Sequence, residues 1–163
     1  MNKKVVVSGL GIVSSVGIGK EAFWNNLIKG QSGTGKIDLF DTSKFNRHIG
    51  GQIKDFNAAK FMPEEMVKFM GRASCFAIAA TKLALEDAQI SLEDHKDKKI
   101  GIFIGTTMAE ASVLDMSVEL FLKEDWNDIT SKLLLNAFSP SIPRNIGYFF
   151  QIKGPENVLI PNA

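Results

Sequence analysis

The chain has 163 residues, enough for one domain with a hydrophobic core. Apolar residues make up 45% and charged residues 23%, and 19 basic against 18 acidic residues give a net charge of +1. This balance gives no electrostatic reason to expect a nucleic acid or an anionic membrane as partner. No stretch approaches the ~20 apolar residues of a membrane span, and the single cysteine excludes an internal disulfide. We therefore expect a soluble cytoplasmic protein.

The first part of the chain predicts a strand, a helix and a loop-rich segment. Three consecutive valines in Lys4–Ser8 favour a buried strand. Apolar residues at helical spacing predict a helix over Lys20–Lys29, which Gly30 ends as a C-cap. Two short strand candidates follow, Ile37–Phe40 and Gly50–Ile53.

The rest of the chain alternates between helices and strands. Apolar periodicity predicts one long helix over Glu64–Ala88, whose alanines indicate close approach to another element, and a second helix over Ala109–Leu122. Ile100–Ile104 is a near-continuous apolar strand. A helix that begins near Ser141 or Pro143 and ends near Lys153, and a final strand, Asn157–Ile160, complete the series. This order predicts an α/β fold with a mixed or mainly parallel sheet.

Two glycine motifs resemble nucleotide-binding loops. Gly30–Lys36 matches the first seven positions of a phosphate-binding loop, but Ile37 replaces the hydroxyl residue that binds Mg²⁺. It also follows a predicted helix, whereas a phosphate-binding loop follows a strand. Gly9-Leu10-Gly11 resembles a dinucleotide fingerprint in which Ser14 stands at the third glycine position. We interpret the motifs as a flexible connection and a tight turn, and keep a nucleotide-binding domain as an alternative.

The reactive side chains form no recognisable catalytic or metal-binding set. Cys75 lies within the long predicted helix, in an alanine-rich stretch where a cysteine is usually a small core residue. His48 and His95 have no second ligand at metal spacing, so we expect no metal site. Four acidic residues are interpreted as solvated or helix N-terminal charges: Asp38, Asp41, Glu64 and Glu65. No cofactor is predicted.

Eight segments, in order along nearly the whole chain, carry a family resemblance: Val5–Gly11, Ser15–Gly17, Gly30–Gly33, Phe40–Ser43, Lys54–Phe56, Ile100–Thr107, Ser141–Ile146 and Lys153–Pro155. Their joint order and spacing are specific. Taken together, they resemble the β-ketoacyl-acyl carrier protein synthases, the condensing enzymes of fatty acid and polyketide synthesis.

The resemblance implies a thiolase-like fold of two α/β halves, each a mixed sheet covered by helices, with residues 1–163 as the first half. The family's nucleophilic cysteine, which takes the acyl chain as a thioester, would come directly after Ala163. The apolar ending Val158–Ala163 independently indicates a cut chain. We therefore expect no catalytic residue within the chain, and no activity from the chain alone.

The resemblance also implies substrate-binding positions and partners. Met108 falls where the family places a residue beside the acyl chain, and Phe138 lies in a region that reaches toward the partner subunit's pocket. Ordinary packing is the alternative for both residues. The implied partners are an acyl carrier protein bearing acyl and malonyl thioesters, and a second copy of the chain. The homodimer would form through Asn157, Val158, Leu159 and Ile160, although Pro161 departs from a strand pattern there.

A second hypothesis within the family is a non-condensing relative, in which another residue replaces the cysteine. Such a chain would serve as a partner subunit or as a decarboxylase. The residue that follows Ala163 would distinguish this hypothesis from a condensing enzyme.

Overall fold

Helices alternate with short strands in the computed structural model, which describes residues 4–95, 99–137, 141–153 and 156–160. The helices are α1 (Lys20–Ile28), α2 (Glu64–Val67), α3 (Arg72–Asp87), α4 (Ala111–Leu122), α5 (Ser131–Ala137) and α6 (Ser141–Phe150). The strands are β1 (Thr34–Lys36), β2 (Ile49–Gly51), β3 (Ile102–Gly105) and β4 (Glu156–Ile160). Two short 3₁₀ turns, Ala58–Lys60 and Glu93–His95, connect other elements.

The chain divides into two compact units, and α3 contributes residues to each. The first unit comprises Met1–Asn57 and Lys82–Ile90, and the second comprises Ala58–Thr81 and Ser91–Ala163.

In the first unit, α1 precedes an antiparallel pair in which β1 and β2 align Gly35 with Gly50. Gly30 ends α1 with a φ of +67°, a left-handed conformation that favours glycine, as the sequence predicts. Gly9 approaches the last part of α3 so closely that a Cβ atom there would lie 2.2 Å from the carbonyl oxygen of Ala84. The alanine-rich pattern therefore does mark a close approach at Ala84.

The second unit contains a parallel pair, β3 with β4, which aligns Ile104 with Leu159 and has an irregularity between Ile102 and Ile104. A core of mostly apolar side chains lies in the same unit. Its buried apolar members are Met62, Cys75, Ile78, Ala79, Ile102, Val113, Ile142 and Ile146. All the buried side chains in the described part of the chain belong to this unit.

The strand predicted at Lys4–Ser8 is wrong for this structure: these residues form no ladder, and the Val5 side chain is 98% exposed. A strand exists only with a hydrogen-bonded neighbour, and no described strand pairs with this segment. The strand predicted at Ile37–Phe40 is wrong, because these residues follow β1 and form no strand, whereas the strand predicted at Gly50–Ile53 overlaps β2 in its first two residues.

The single helix predicted over Glu64–Ala88 is also wrong, because residues 68–71 separate α2 from α3. Gly71 directly precedes α3, and glycine disfavours helix continuation at this point. The helices predicted over Lys20–Lys29 and Ala109–Leu122, and the strands at Ile100–Ile104 and Asn157–Ile160, are confirmed within a few residues at their ends. In the described residues, no helix is long and apolar enough to cross a membrane.

Candidate functional site

The connection from β3 to α4 holds the first predicted substrate-binding residue. Thr106 Oγ1 accepts a hydrogen bond from the backbone N–H of Ala109 at 2.9 Å, and Ala109 has a φ of +48°, which is uncommon for a residue with a side chain. This tight turn leaves Met108 72% exposed. Met108 is therefore displayed at the surface of its unit.

Glu110 ends the connection, and its side chain is directed away from the helix that it precedes. It is only 2% exposed and makes no capping hydrogen bond to α4. Its carboxyl group instead accepts the backbone N–H groups of Ala73, at 3.1 Å, and Ser74, at 2.7 Å, in the first turn of α3. These N–H groups have no partner within their own helix, so Glu110 supplies the cap for α3.

A buried polar network continues from this cap. Asn145 on α6 donates through Nδ2 to Ser74 Oγ and to Asn136 Oδ1 on α5, both at 2.9 Å. Both amide hydrogens of Asn145 are thereby used. The network links the first turn of α3 with α5 and α6, and Glu110 joins it to the start of α4.

Cys75 is buried, as the sequence predicts, but it lies in the first turn of α3 and not in mid-helix. Burial raises the pKa of its thiol, and the negative charge of Glu110 raises this pKa further, while Arg72 opposes the shift. A helix N-terminus normally favours a thiolate. Here desolvation and the nearby carboxylate keep the thiol protonated, which makes Cys75 a poor nucleophile.

The remaining predicted site positions lie partly outside the described residues. Phe138 is outside them, although Asn136 of the network is only two residues away. Asn157–Ile160 form most of β4, for which the structure describes the backbone but not the side chains.

The glycine motif at Gly30–Lys36 follows α1 and leads into β1. This order is opposite to that of a phosphate-binding loop, which joins a strand to a helix N-terminus. The order therefore argues against a phosphate-binding loop, but the predicted flexible connection is wrong for Thr34–Lys36, which pair with β2 as strand β1.

The acidic residues near this motif have local partners. Asp38 pairs with Lys54 and Gln52, which hold the pKa of its carboxyl below the usual range. Asp41 accepts the N–H and hydroxyl of Ser43. Within the described residues, no group of three or more His, Cys, Asp or Glu side chains could hold a metal ion.

The family model for "Beta-ketoacyl synthase, N-terminal domain" matches residues 2–159. The chain belongs to this family. Among curated relatives, the 3-oxoacyl-[acyl-carrier-protein] synthase 2 of Synechocystis is 30% identical over 97% of this chain and 38% of its own length. The Vibrio cholerae protein of the same name is 27% identical over 99% of this chain and 39% of its own length. The chain thus spans about two fifths of the length of these β-ketoacyl synthases.

Solved structures of β-ketoacyl synthases share the fold. The structure described as "the ishigamide ketosynthase/chain length factor" superposes with a TM-score of 0.83 and 26% identity, over 96% of this chain and 39% of the other. A type II polyketide ketosynthase in complex with its acyl-carrier protein gives a TM-score of 0.76 at 18% identity, over 94% of this chain and 41% of the other. The predicted α/β, thiolase-like fold class is confirmed.

Sequence reasoning missed the buried network of this β-ketoacyl synthase chain. Glu110 interrupts an otherwise uncharged stretch from Gly101 to Leu114, and Gly71 leaves the following helix without a capping side chain. These two features indicate a buried acidic residue and a helix that needs a cap, but nothing in the sequence pairs one with the other.

Proposed function

We propose that the whole protein to which this chain belongs is a 3-oxoacyl-[acyl-carrier-protein] synthase of fatty acid or polyketide synthesis, with residues 1–163 as its N-terminal thiolase-like half. The observation that carries the proposal is the 30% identity with a synthase of that name over 97% of this chain. The family match over residues 2–159 supports it independently.

The proposed reaction is a decarboxylative Claisen condensation. An enzyme cysteine takes the acyl group from a carrier thioester, and the carrier thiol leaves. A malonyl thioester then loses CO₂, and the resulting carbanion attacks the acyl carbonyl carbon, which releases the cysteine sulfur and forms the 3-oxoacyl thioester. Cys75 does not fit the role of nucleophile, because burial and Glu110 raise its pKa. The nucleophile is therefore a cysteine outside residues 1–163, and the chain alone is inactive.

Met108 and Phe138 are the proposed contacts for the acyl chain. An exposed thioether on a hydrogen-bonded turn suits a flexible apolar substrate that enters from outside this chain. Phe138 is proposed from the family resemblance alone.

The proposed assembly is a cytoplasmic homodimer formed through β4 that accepts an acyl carrier protein. Within the described residues, β4 pairs only with β3, so its other edge is free to accept a strand from a second copy. The single cysteine, which is buried, is consistent with a reducing compartment.

A non-condensing relative is the second candidate. The likeness to a structure whose description names a chain length factor beside a ketosynthase favours it. Such a protein would use the same fold without an acyl-accepting cysteine.

The decisive experiment incubates the whole protein with acyl- and malonyl-acyl carrier protein and detects 3-oxoacyl product by mass spectrometry. In the absence of malonyl substrate, the acyl group should be found on a cysteine outside residues 1–163. Cys75→Ser is the matched control and should acylate normally.

Acylation of Cys75 would contradict the assignment of the nucleophile. Release of CO₂ from the malonyl substrate without a 3-oxoacyl product would favour the non-condensing relative. If neither 3-oxoacyl product nor CO₂ is detected, the proposed enzyme function is overturned.

A further inference from the structure

Glu110 occupies the space that a side chain at residue 71 would fill. A Cβ atom at Gly71 would lie 2.0 Å from Oε2 of Glu110 and 2.4 Å from its carboxyl carbon. Residue 71 directly precedes α3, where a Ser, Thr, Asp or Asn side chain would usually cap the helix. A carboxyl group from a residue 39 positions later (Gly71 to Glu110) does this instead.

This arrangement couples the cap to the substrate-binding connection. Glu110 follows Met108 by two residues, and Met108 lies in the turn that the bond from Ala109 N–H to Thr106 Oγ1 closes. Because its carboxyl group is bonded to two backbone N–H groups of α3, the last residue of the connection is fixed to that helix.

The same network continues to α5, the helix that precedes Phe138 in the sequence. Ser74, whose N–H is bonded to Glu110, also accepts a hydrogen bond from Asn145, which donates in turn to Asn136. Arg144 on α6 donates to the carbonyl oxygen of Leu135 at 2.6 Å, which adds a second bond between α6 and α5. Phe138 follows directly after α5. Buried networks whose members are hydrogen-bonded specify one arrangement of the elements that they join.

We propose that Glu110 is a positioning residue for Met108, the proposed acyl-chain contact: its bonds to α3 fix the connection that carries Met108, and the network through Ser74, Asn145 and Asn136 joins this helix to α5 and α6. The proposal rests on the proposed function for its effect on substrate. The hydrogen bonds that fix Glu110 to α3 do not depend on that function.

The test uses the whole protein with three variants. Glu110→Ala removes the carboxyl group, and Gly71→Ala displaces the same carboxyl group without altering it, although its Cβ atom also lies 2.6 Å from Val113 Cγ2. Ile78→Val is the matched control, because Ile78 is fully buried in α3 but forms no part of the network. Glu110→Gln, which keeps one acceptor oxygen, replaces Glu110→Ala if that variant does not fold.

Two measurements separate positioning from general stability. Amide hydrogen exchange should become about tenfold faster or more in the peptide covering residues 104–112 in both network variants, since a buried bond to a charged group is lost, but not in Ile78→Val. The ratio of kcat/KM for long over short acyl thioesters should change about tenfold in the network variants and remain unchanged in Ile78→Val.

Each outcome decides a different question. If exchange over residues 104–112 is unchanged in the network variants, or rises equally in Ile78→Val, the positioning role is overturned. If exchange responds but the chain-length ratio does not, Glu110 does not position the acyl pocket. If the wild-type protein has no condensation activity, the proposed function is contradicted. The amide exchange data then still test whether Glu110 fixes the connection to α3.

Discussion

Met108 is highly exposed and lies within the turn that Ala109 N–H and Thr106 Oγ1 close, so its side chain is a direct means of testing the proposed acyl contact. Met108→Trp should lower kcat/KM for long acyl thioesters by about tenfold relative to short ones, because a bulky ring would fill space intended for the chain. The comparison is kinetic, with acyl thioesters of increasing length.

Met116→Trp is the control for this substitution. Met116 is also an exposed methionine, but it lies on α4 and outside the connection. An equal loss in both variants would indicate a general effect of the added ring and would argue against a contact at Met108.

Cys75 should react slowly with thiol reagents in the folded protein. Its pKa is raised above the usual value of 9.0, by burial first and Glu110 second, so the thiolate fraction is small at neutral pH. The thiol has a higher pKa in the folded protein than in the unfolded protein. Its contribution to the free energy of unfolding is therefore fully present at pH values below the unfolded pKa and is lost as the pH rises through the folded pKa. Alkylation rates between neutral and alkaline pH, measured on native and denatured protein, check this prediction.

The denatured protein should react at the rate of an ordinary cysteine at every pH. Equal rates in the native and denatured forms at neutral pH would show that Cys75 is neither shielded nor shifted in pKa.

At the scale of elements, the approach of Gly9 to α3 depends on the absence of a side chain. Gly9→Ala would place a Cβ atom 2.2 Å from the Ala84 carbonyl oxygen and 2.8 Å from the Ala88 Cβ atom, so backbone must move. We expect a loss of about 1–3 kcal/mol in the free energy of unfolding of the whole protein, measured by chemical denaturation.

Gly35→Ala provides the comparison, since nothing lies within 4 Å of a Cβ atom at that position in β1. It should change the unfolding free energy far less. Similar losses at the two positions would mean that the close packing at Gly9 does not limit stability.

Elements with their own local signal could be predicted from the sequence, and elements that depend on distant partners could not. Helix α4 has its own apolar periodicity, and the prediction was close to its observed bounds. The valines of Lys4–Ser8 have strand propensity, but propensity does not supply the neighbouring strand that a ladder requires. The break before α3 is stabilised by Glu110, 37 residues from Ala73, and no local pattern contains that contact.

The same limit applies to the candidate site. The position of Met108 in the connection after β3 could be predicted, because the strand and the segment that follows it lie in contiguous sequence. The network of Ser74, Glu110, Asn136 and Asn145 could not be predicted, because it joins four separate segments through buried side chains.

At the scale of the whole molecule, the two units differ in how much apolar surface they bury. The described residues of the first unit include no buried side chain, and large apolar residues there are exposed. Those most relevant to association are Val5, Val6, Val7, Leu10, Trp24 and Ile28. Exposed apolar residues on this scale usually mark a surface that another part of a protein covers.

We therefore expect residues 1–163, expressed alone, to self-associate and to bind a hydrophobic dye. Amide exchange should be fast throughout the first unit and slower around Ile78 and Ile146, which are buried in the second. Light scattering and exchange mass spectrometry test these expectations. A monodisperse monomer that unfolds in one cooperative transition would contradict them.

The shared space at Gly71 and Glu110 has a consequence for how this protein can vary. One acidic group caps the helix from residue 110, and we expect an aspartate at 71 combined with glycine at 110 to supply the same cap locally, once Val113 moves from its 2.6 Å contact with the new Cβ atom. Acidic residues at both positions would bring two carboxyl groups too close together. With an acidic residue at neither position, no carboxyl group would accept the backbone N–H groups in the first turn of α3. Gly71→Asp and Glu110→Gly should therefore each destabilise the protein alone but be tolerated together. Positions 71 and 110 would then form an epistatic pair, although they lie 39 residues apart (71 to 110) in the sequence.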